Sequence, residues 1–128
     1  MSNQNRKVFI VDDEPLLSEM LTDYLLGHHP NLDITAFPTG EDCLKNLYEK
    51  PAIVVLDYHL NSKEKDAANG TDILKEIKRQ NKAIPVIMLS SQESYSKAAQ
   101  TISSGATHYV IKGQEAFEEI QKLIEANI

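Results

Sequence analysis

Short apolar runs recur along the chain, and the segments between them place apolar residues at three- and four-residue intervals. Val8-Phe9-Ile10-Val11, Ile53-Val54-Val55-Leu56, Val86-Ile87-Met88-Leu89 and Tyr109-Val110-Ile111 are unbroken apolar stretches. Such stretches are the habit of strands covered on both faces, as in parallel sheets. Asp33-Ile34-Thr35-Ala36-Phe37 alternates instead, which predicts a half-exposed edge strand. Helical spacing predicts helices over about Glu14 to Leu26, Gly40 to Glu49, Thr71 to Gln80, Ser94 to Ser104 and Glu115 to Glu125. Their expected inner faces are Leu16, Leu17, Met20, Leu21, Tyr24 and Leu25 in the first helix, and Cys43, Leu44, Leu47 and Tyr48 in the second. In the third they are Ile73, Leu74 and Ile77, in the fourth Ala98, Ala99 and Ile102, and in the fifth Phe117, Ile120, Leu123 and Ile124. Pro15 suits a first helical turn, Gly27 and then Pro30 are expected to stop the first helix, Pro51 follows the second, and Gly105 is expected to cap the fourth. Strand–helix alternation throughout predicts a parallel sheet with helices on both faces.

The 128 residues fit one domain large enough to fold without a disulfide or a metal. The single cysteine, Cys43, cannot form an internal disulfide and reads as a small core residue. A formal charge of -6 disfavours non-specific attraction to nucleic acid or anionic membrane. No apolar stretch approaches the roughly 20 residues that span a bilayer, and the polar start Met1 to Lys7 has no signal-peptide core. A cytoplasmic protein with no membrane insertion is expected. The histidines show no metal-ligand spacing. His28 and His29 suit a helix C-terminus, and His108 is expected to be exposed.

Four of the runs end on polar residues: Asp12-Asp13, Asp57, Ser90 and Lys112. In open α/β sheets ligands bind beyond the carboxyl ends of the strands, so these side chains are expected in one pocket. Taken singly, Asp12-Asp13-Glu14 is also what a helix dipole favours, and Asp57 is also a loop cap. Taken together they are costly, because unit charges about 4 Å apart repel by roughly 4 kcal/mol at an effective dielectric of 20. Such a pocket needs a cation or a raised pKa. An all-oxygen site with few protein ligands suits Mg2+, and Lys112 and Ser90 supply a positive charge and a hydroxyl for an anion.

Val11-Asp12-Asp13-Glu14-Pro15, Val54-Val55-Leu56-Asp57, Pro85 to Ser91, Gly105-Ala106 and Tyr109-Val110-Ile111-Lys112 follow one another in this order. No piece is specific alone, but their order and spacing resemble the receiver domain of bacterial two-component response regulators, the CheY-like family, over essentially the whole chain. The resemblance implies one receiver domain over residues 1–128 with a flavodoxin-like (βα)5 fold and a five-stranded parallel sheet in the order 2-1-3-4-5. It implies that Asp57 is the phosphoacceptor, supplied by a phosphohistidine of a sensor histidine kinase or phosphotransfer protein. Asp12, Asp13, Asp57 and the backbone carbonyl of His59 would hold Mg2+ (or Mn2+). Ser90 and Lys112 would bind the phosphoryl oxygens, and Ser90 with Tyr109 would form a switch. The output would be a changed surface of helix four, strand five and helix five, read by a separate protein or by a second copy in a dimer. Such a domain is a signalling device and not an enzyme, beyond self-phosphorylation from small donors and autodephosphorylation. No output domain is recognisable within the 128 residues, so direct nucleic-acid binding is not expected. The chain is a stand-alone receiver or a segment of a longer protein.

Three features depart from the family pattern. The stretch from Asp57 to Gly70 is long and holds Lys63-Glu64-Lys65-Asp66, which reads as a solvated insertion or a partner-contacting flap. Lys112 precedes Gly113 where many members have proline after a cis bond, and a cis bond before a non-proline residue costs about 2.5–4 kcal/mol, so a trans bond is predicted. His59 and Gln92 are expected to flank the path of attacking water and tune phosphate lifetime. Rival readings fit less well. A haloacid-dehalogenase phosphatase needs Asp-x-Asp after its first strand, and a flavodoxin needs a hydroxyl- and glycine-rich loop where this chain has Asp-Asp-Glu-Pro. A degenerate receiver acting only as an interaction module would not need the full acid, hydroxyl and lysine set.

Overall fold

The computed structural model describes residues 5–60, 69–91 and 95–128. Strands β1 (Lys7–Val11), β2 (Asp33–Phe37), β3 (Ile53–Asp57), β4 (Val86–Ser90) and β5 (His108–Ile111) alternate with helices α1 (Pro15–His28), α2 (Gly40–Lys45), α3 (Gly70–Gln80), α4 (Tyr95–Ser103) and α5 (Ala116–Asn127). All strand pairs are parallel, and the sheet order is β2-β1-β3-β4-β5, as expected. The unbroken apolar runs are the inner strands because each buries side chains on both faces. Phe9, Val11, Val54, Leu56, Val86 and Met88 pack toward α2 and α3. The intervening Val8, Ile10, Ile53, Val55, Ile87 and Leu89 pack toward α1 and α5. Burial of each such side chain contributes about 1.5–3 kcal/mol. The alternating β2 is an edge strand and carries the half-exposed pattern predicted for it.

Several expectations need correction. The stripe of α1 is wider than the surface that covers it. Leu21 and Leu25 are buried and Leu17 and Tyr24 half-buried, but Leu16 and Met20, on an outer ridge, are 68% and 50% exposed. Ser18 is buried in their place. Gly27 does not stop α1. The helix continues to His28, and His29, whose N–H donates to the Leu25 carbonyl at 2.8 Å, ends it just before Pro30. The predicted second helix divides into α2 and a 3₁₀ turn at Leu47–Glu49. The Asn46 side-chain amide donates to the Asp42 carbonyl at 2.8 Å and draws the chain into the tighter turn. The changed periodicity keeps Leu47 in the core and leaves Tyr48 75% exposed.

In α4, Thr101 is the buried residue, its hydroxyl donating to the Lys97 carbonyl at 2.7 Å, while Ala99 and Ile102 face solvent. His108 is half-buried as the first residue of β5, opposite Ile87. The remaining expected inner faces hold: Ile73, Leu74 and Ile77 in α3 and Ile120 and Ile124 in α5 are buried, and so is Cys43. Gly105 closes α4 with φ +116°, a backbone conformation that glycine tolerates best. No cis peptide bond occurs among the described residues, in line with the trans bond predicted before Gly113. None of their helices is long and apolar enough to cross a membrane. The start of the predicted fourth helix, Gln92 and the insertion except Asn69 lie outside the described residues.

Candidate functional site

Strand register brings the polar residues together. Val11 of β1 pairs with Leu56 of β3, so Asp12 and Asp57 emerge side by side where β1 and β3 meet. The Asp12 N–H extends the pairing with β2 by donating to the Phe37 carbonyl at 3.1 Å. The β1–β3 boundary is where successive connections leave to opposite sides of the sheet, and this is where open α/β sheets form a crevice. One carboxylate oxygen from each of Asp12, Asp13 and Asp57 lies within 4.8 Å of the others, and all three residues are buried. Lys112, directly after β5, reaches back so that its Nζ stands 3.3 Å from Asp57 Oδ1. Ser90 ends β4 beside Asp57 and is fully buried, and its carbonyl accepts from the Lys112 N–H at 2.8 Å.

Backbone donors hold two of the acids in place. The Glu14 N–H donates to Asp12 Oδ1 at 2.9 Å, and the His59 N–H donates to Asp57 Oδ1 at 3.2 Å. Burial, and then the Asp57 charge, push the Asp12 carboxyl up to about 7. Burial also raises that of Asp57, with Lys112 and the His59 N–H pulling the other way. Among the described residues, the cluster sets three carboxylates beside the ammonium of Lys112, and a cation would favour their charged forms. Its donor set fits a hard divalent ion, because every ligand atom is a carboxylate oxygen and, among the described residues, no histidine or cysteine joins the group. An octahedral Mg2+ with bonds of about 2.1 Å holds oxygens up to about 4.2 Å apart, so small adjustments of this cluster accommodate it.

Tyr109 is not in the acid cluster. It pairs with Met88 and packs half-buried against the layer that contains Met88. Side chains two residues apart share a face, so Tyr109 and Ser90 lie on the same side of the sheet. His59 is half-buried beyond Asp57, its ring edge-on to Tyr58 with centroids 4.9 Å apart.

Two features were not read from the sequence. Gly70, the first residue of α3, lies so close to the end of β3 that a Cβ there would stand 2.2 Å from the Asp57 carbonyl oxygen. The signal available for it was Asn69-Gly70 just ahead of a helix, where the Asn69 side chain caps by accepting from the Asp72 N–H at 3.1 Å. The other is Lys97 of α4, whose ammonium sits 5.7 Å from the centroid of the Tyr58 ring, a contact between distant segments with no local signature.

The model of the response regulator receiver domain family matches residues 8–125. The transcriptional regulatory protein CssR of Bacillus subtilis (strain 168) is 30% identical over 121 residues, covering 92% of this chain and 51% of that protein. The beryllofluoride-activated receiver domain of DrrB, a Thermotoga maritima protein, superposes with a TM-score of 0.81 at 24% identity, covering 96% of this chain and 97% of that one. A CheY-like response regulator receiver domain protein of Methanospirillum hungatei JF-1 has the same fold at a TM-score of 0.78 and 16% identity, covering 97% of each chain. The chain spans about half the length of the curated relatives it matches. With the family model covering all but the two ends, and with the sheet order and the acid crevice of that fold, this chain belongs to the response regulator receiver domain family.

Proposed function

We propose that Asp57 accepts a phosphoryl group from a phosphohistidine on a sensor histidine kinase or phosphotransfer protein, and that the phosphorylated domain signals to a protein partner. The observation that carries this reading is the setting of Asp57. Its carboxylate is 2% exposed, 3.3 Å from an ammonium and within one cluster with two further carboxylates. A carboxylate oxygen of Asp57 bonds to phosphorus as the donor's P–N bond breaks, and the electron pair leaves with the imidazole nitrogen. The product is an acyl phosphate. Asp12, Asp13, Asp57 and the His59 carbonyl are the ligands assigned to Mg2+ (or Mn2+), which when bound supplies the positive charge that phosphoryl transfer demands. Lys112 exchanges its pairing with the Asp57 carboxylate for a phosphoryl oxygen, and the Ser90 hydroxyl donates to another. Asp57 must be ionised to attack, so neutralising its neighbours also favours the reactive form.

Intact-mass measurement after incubation with acetyl phosphate and Mg2+ tests the proposal. A phosphate-sized mass gain is expected, absent without the metal and absent in Asp57→Asn. Equal labelling of that variant would move the acceptor elsewhere. No labelling of the parent chain, with the metal present, would favour a receiver that acts only as an interaction module.

A further inference from the structure

A second concave feature opens beside the acid crevice, between α1 and β2. It is a groove of about 280 Å3, with Asp12, Ser18, Glu19, Thr22 and Asp23 on the helix side and the Phe37-Pro38 corner opposite. Among the described residues three acids line it, and no lysine, arginine or histidine does. Glu19 and Asp23 are exposed, one helical turn apart on α1, and neither forms an ion pair among the described residues. Like charges at this spacing destabilise a helix slightly. Ser18, which lines the same groove, is 6% exposed, and its buried Oγ has no hydrogen-bond partner among the described residues. A buried hydroxyl left unsatisfied is rare and costly. The Thr22 hydroxyl donates its proton to the Ser18 carbonyl at 2.7 Å, so its oxygen keeps only acceptor capacity toward the groove.

The groove thus offers carboxylates and the Thr22 hydroxyl oxygen as acceptors against an apolar wall, with the buried, unpartnered Ser18 hydroxyl in its lining. The complementary group is a cation that carries several N–H donors, no acceptor and an apolar stem. Arginine has these properties, with five donors in a planar fork. An open groove of about 280 Å3 has room for one inserted side chain. We propose that the α1–β2 groove receives the guanidinium of an arginine side chain presented by a partner protein. Because Asp12 belongs both to this groove and to the acid cluster, an arginine seated here fixes the partner's position relative to Asp57.

The test is an amide NMR titration of the full chain at low salt, with saturating Mg2+ present, using N-acetyl-arginine amide. Saturable shifts are expected at Ser18, Glu19, Thr22, Asp23 and Phe37, and none with N-acetyl-citrulline amide, the neutral isostere. Glu19→Gln/Asp23→Asn, two exposed changes that leave the fold intact, should weaken binding about fivefold, the size that two solvent-exposed ion pairs give. Equal response to N-acetyl-lysine amide would overturn the guanidinium assignment. Tighter binding of agmatine than of the capped residue would overturn the choice of a protein side chain over a free guanidine. Shifts that appear only in a parallel titration without Mg2+ would place the probe in the acid cluster and refute the groove. Failure of Asp57 to become phosphorylated would leave every one of these outcomes readable.

Discussion

Gly70 donates its N–H to the Tyr58 carbonyl at 3.0 Å and leaves no room for a side chain against the Asp57 carbonyl. The N-terminus of α3 is thereby docked on the backbone that carries the candidate nucleophile. Gly70→Ala would set a methyl 2.2 Å from that oxygen, and the obstructing atoms are backbone. Relief requires α3 or the end of β3 to move. Chemical denaturation should show a loss of about 1–3 kcal/mol, as overpacking typically costs. Phosphorylation by acetyl phosphate should slow as well. A variant with parental stability and labelling rate would show that the junction is more pliable than its contacts indicate.

Substitutions at two other glycines should have opposite effects. Gly105 has φ +116°, where an L-residue is strained, and its Cβ would also meet the Lys78 stem at 2.8 Å. Gly105→Ala is expected to destabilise by about 1–2 kcal/mol. Gly27 lies inside α1 with nothing within 4 Å of an added methyl, so Gly27→Ala is expected to stabilise by about 0.5–1 kcal/mol. Urea midpoints for the two variants should move in opposite directions. Movement in the same direction would refute one of the two backbone assignments.

The Asp12 carboxyl, pushed from an ordinary 3.8 to about 7, gives a sign to the pH dependence of the metal-free protein. The folded chain holds that proton more tightly than the unfolded chain. The stabilisation is fully present below the unfolded value and is lost as pH rises through the folded one. In EDTA the melting temperature should therefore fall between pH 5 and pH 8, and Asp12→Asn should flatten that slope. At pH 8, Mg2+ should raise the melting temperature of the parent, since a ligand that binds only the folded state stabilises it. Asp13→Ala should abolish the rise. A melting temperature that climbs with pH in EDTA would contradict the burial of these acids.

Most of the architecture was legible because the inner strands advertise themselves. Four apolar runs without polar interruption have few alternatives, and β2 shows its edge position by alternating. The acid site was legible for the same reason, since Asp12, Asp57, Ser90 and Lys112 each directly follow or end a strand, where register alone makes neighbours of Asp12 and Asp57. The misread side chains share a different cause. Leu16, Met20, Tyr48 and Ile102 are apolar residues at helical spacing, but how much of a helix its neighbours cover depends on tertiary placement. Ser18 was passed over because a hydroxyl reads as surface, although α1 turns it inward. The closeness of Gly70 to Asp57 arises from the angle at which α3 meets β3, which no local pattern encodes.

A phosphoryl group on Asp57 would be read at a distance through two residues on one face of the sheet. Ser90 is fully buried at the end of β4, and Tyr109 is half-buried on the same face of the neighbouring β5, opposite Met88. Phosphorylation adds charge and strong acceptor oxygens, which draw a hydroxyl donor toward them. On the proposed switch, inward movement of Ser90 opens space on that face and Tyr109 rotates into it. The rotation would alter the adjoining surface of α4, where Tyr95 is 98% and Ile102 46% exposed, and so present a partner or a second copy with a different apolar face. Adding beryllofluoride and Mg2+ should shift amides around Asp57 and also across α4, β5 and α5. Ser90→Ala should keep the shifts near Asp57 and lose those in α4 and β5, because the coupling hydroxyl is gone while the acceptor remains. Shifts confined to the pocket in the parent chain would rule out this route, and remote shifts that survive in Ser90→Ala would assign the coupling to another group.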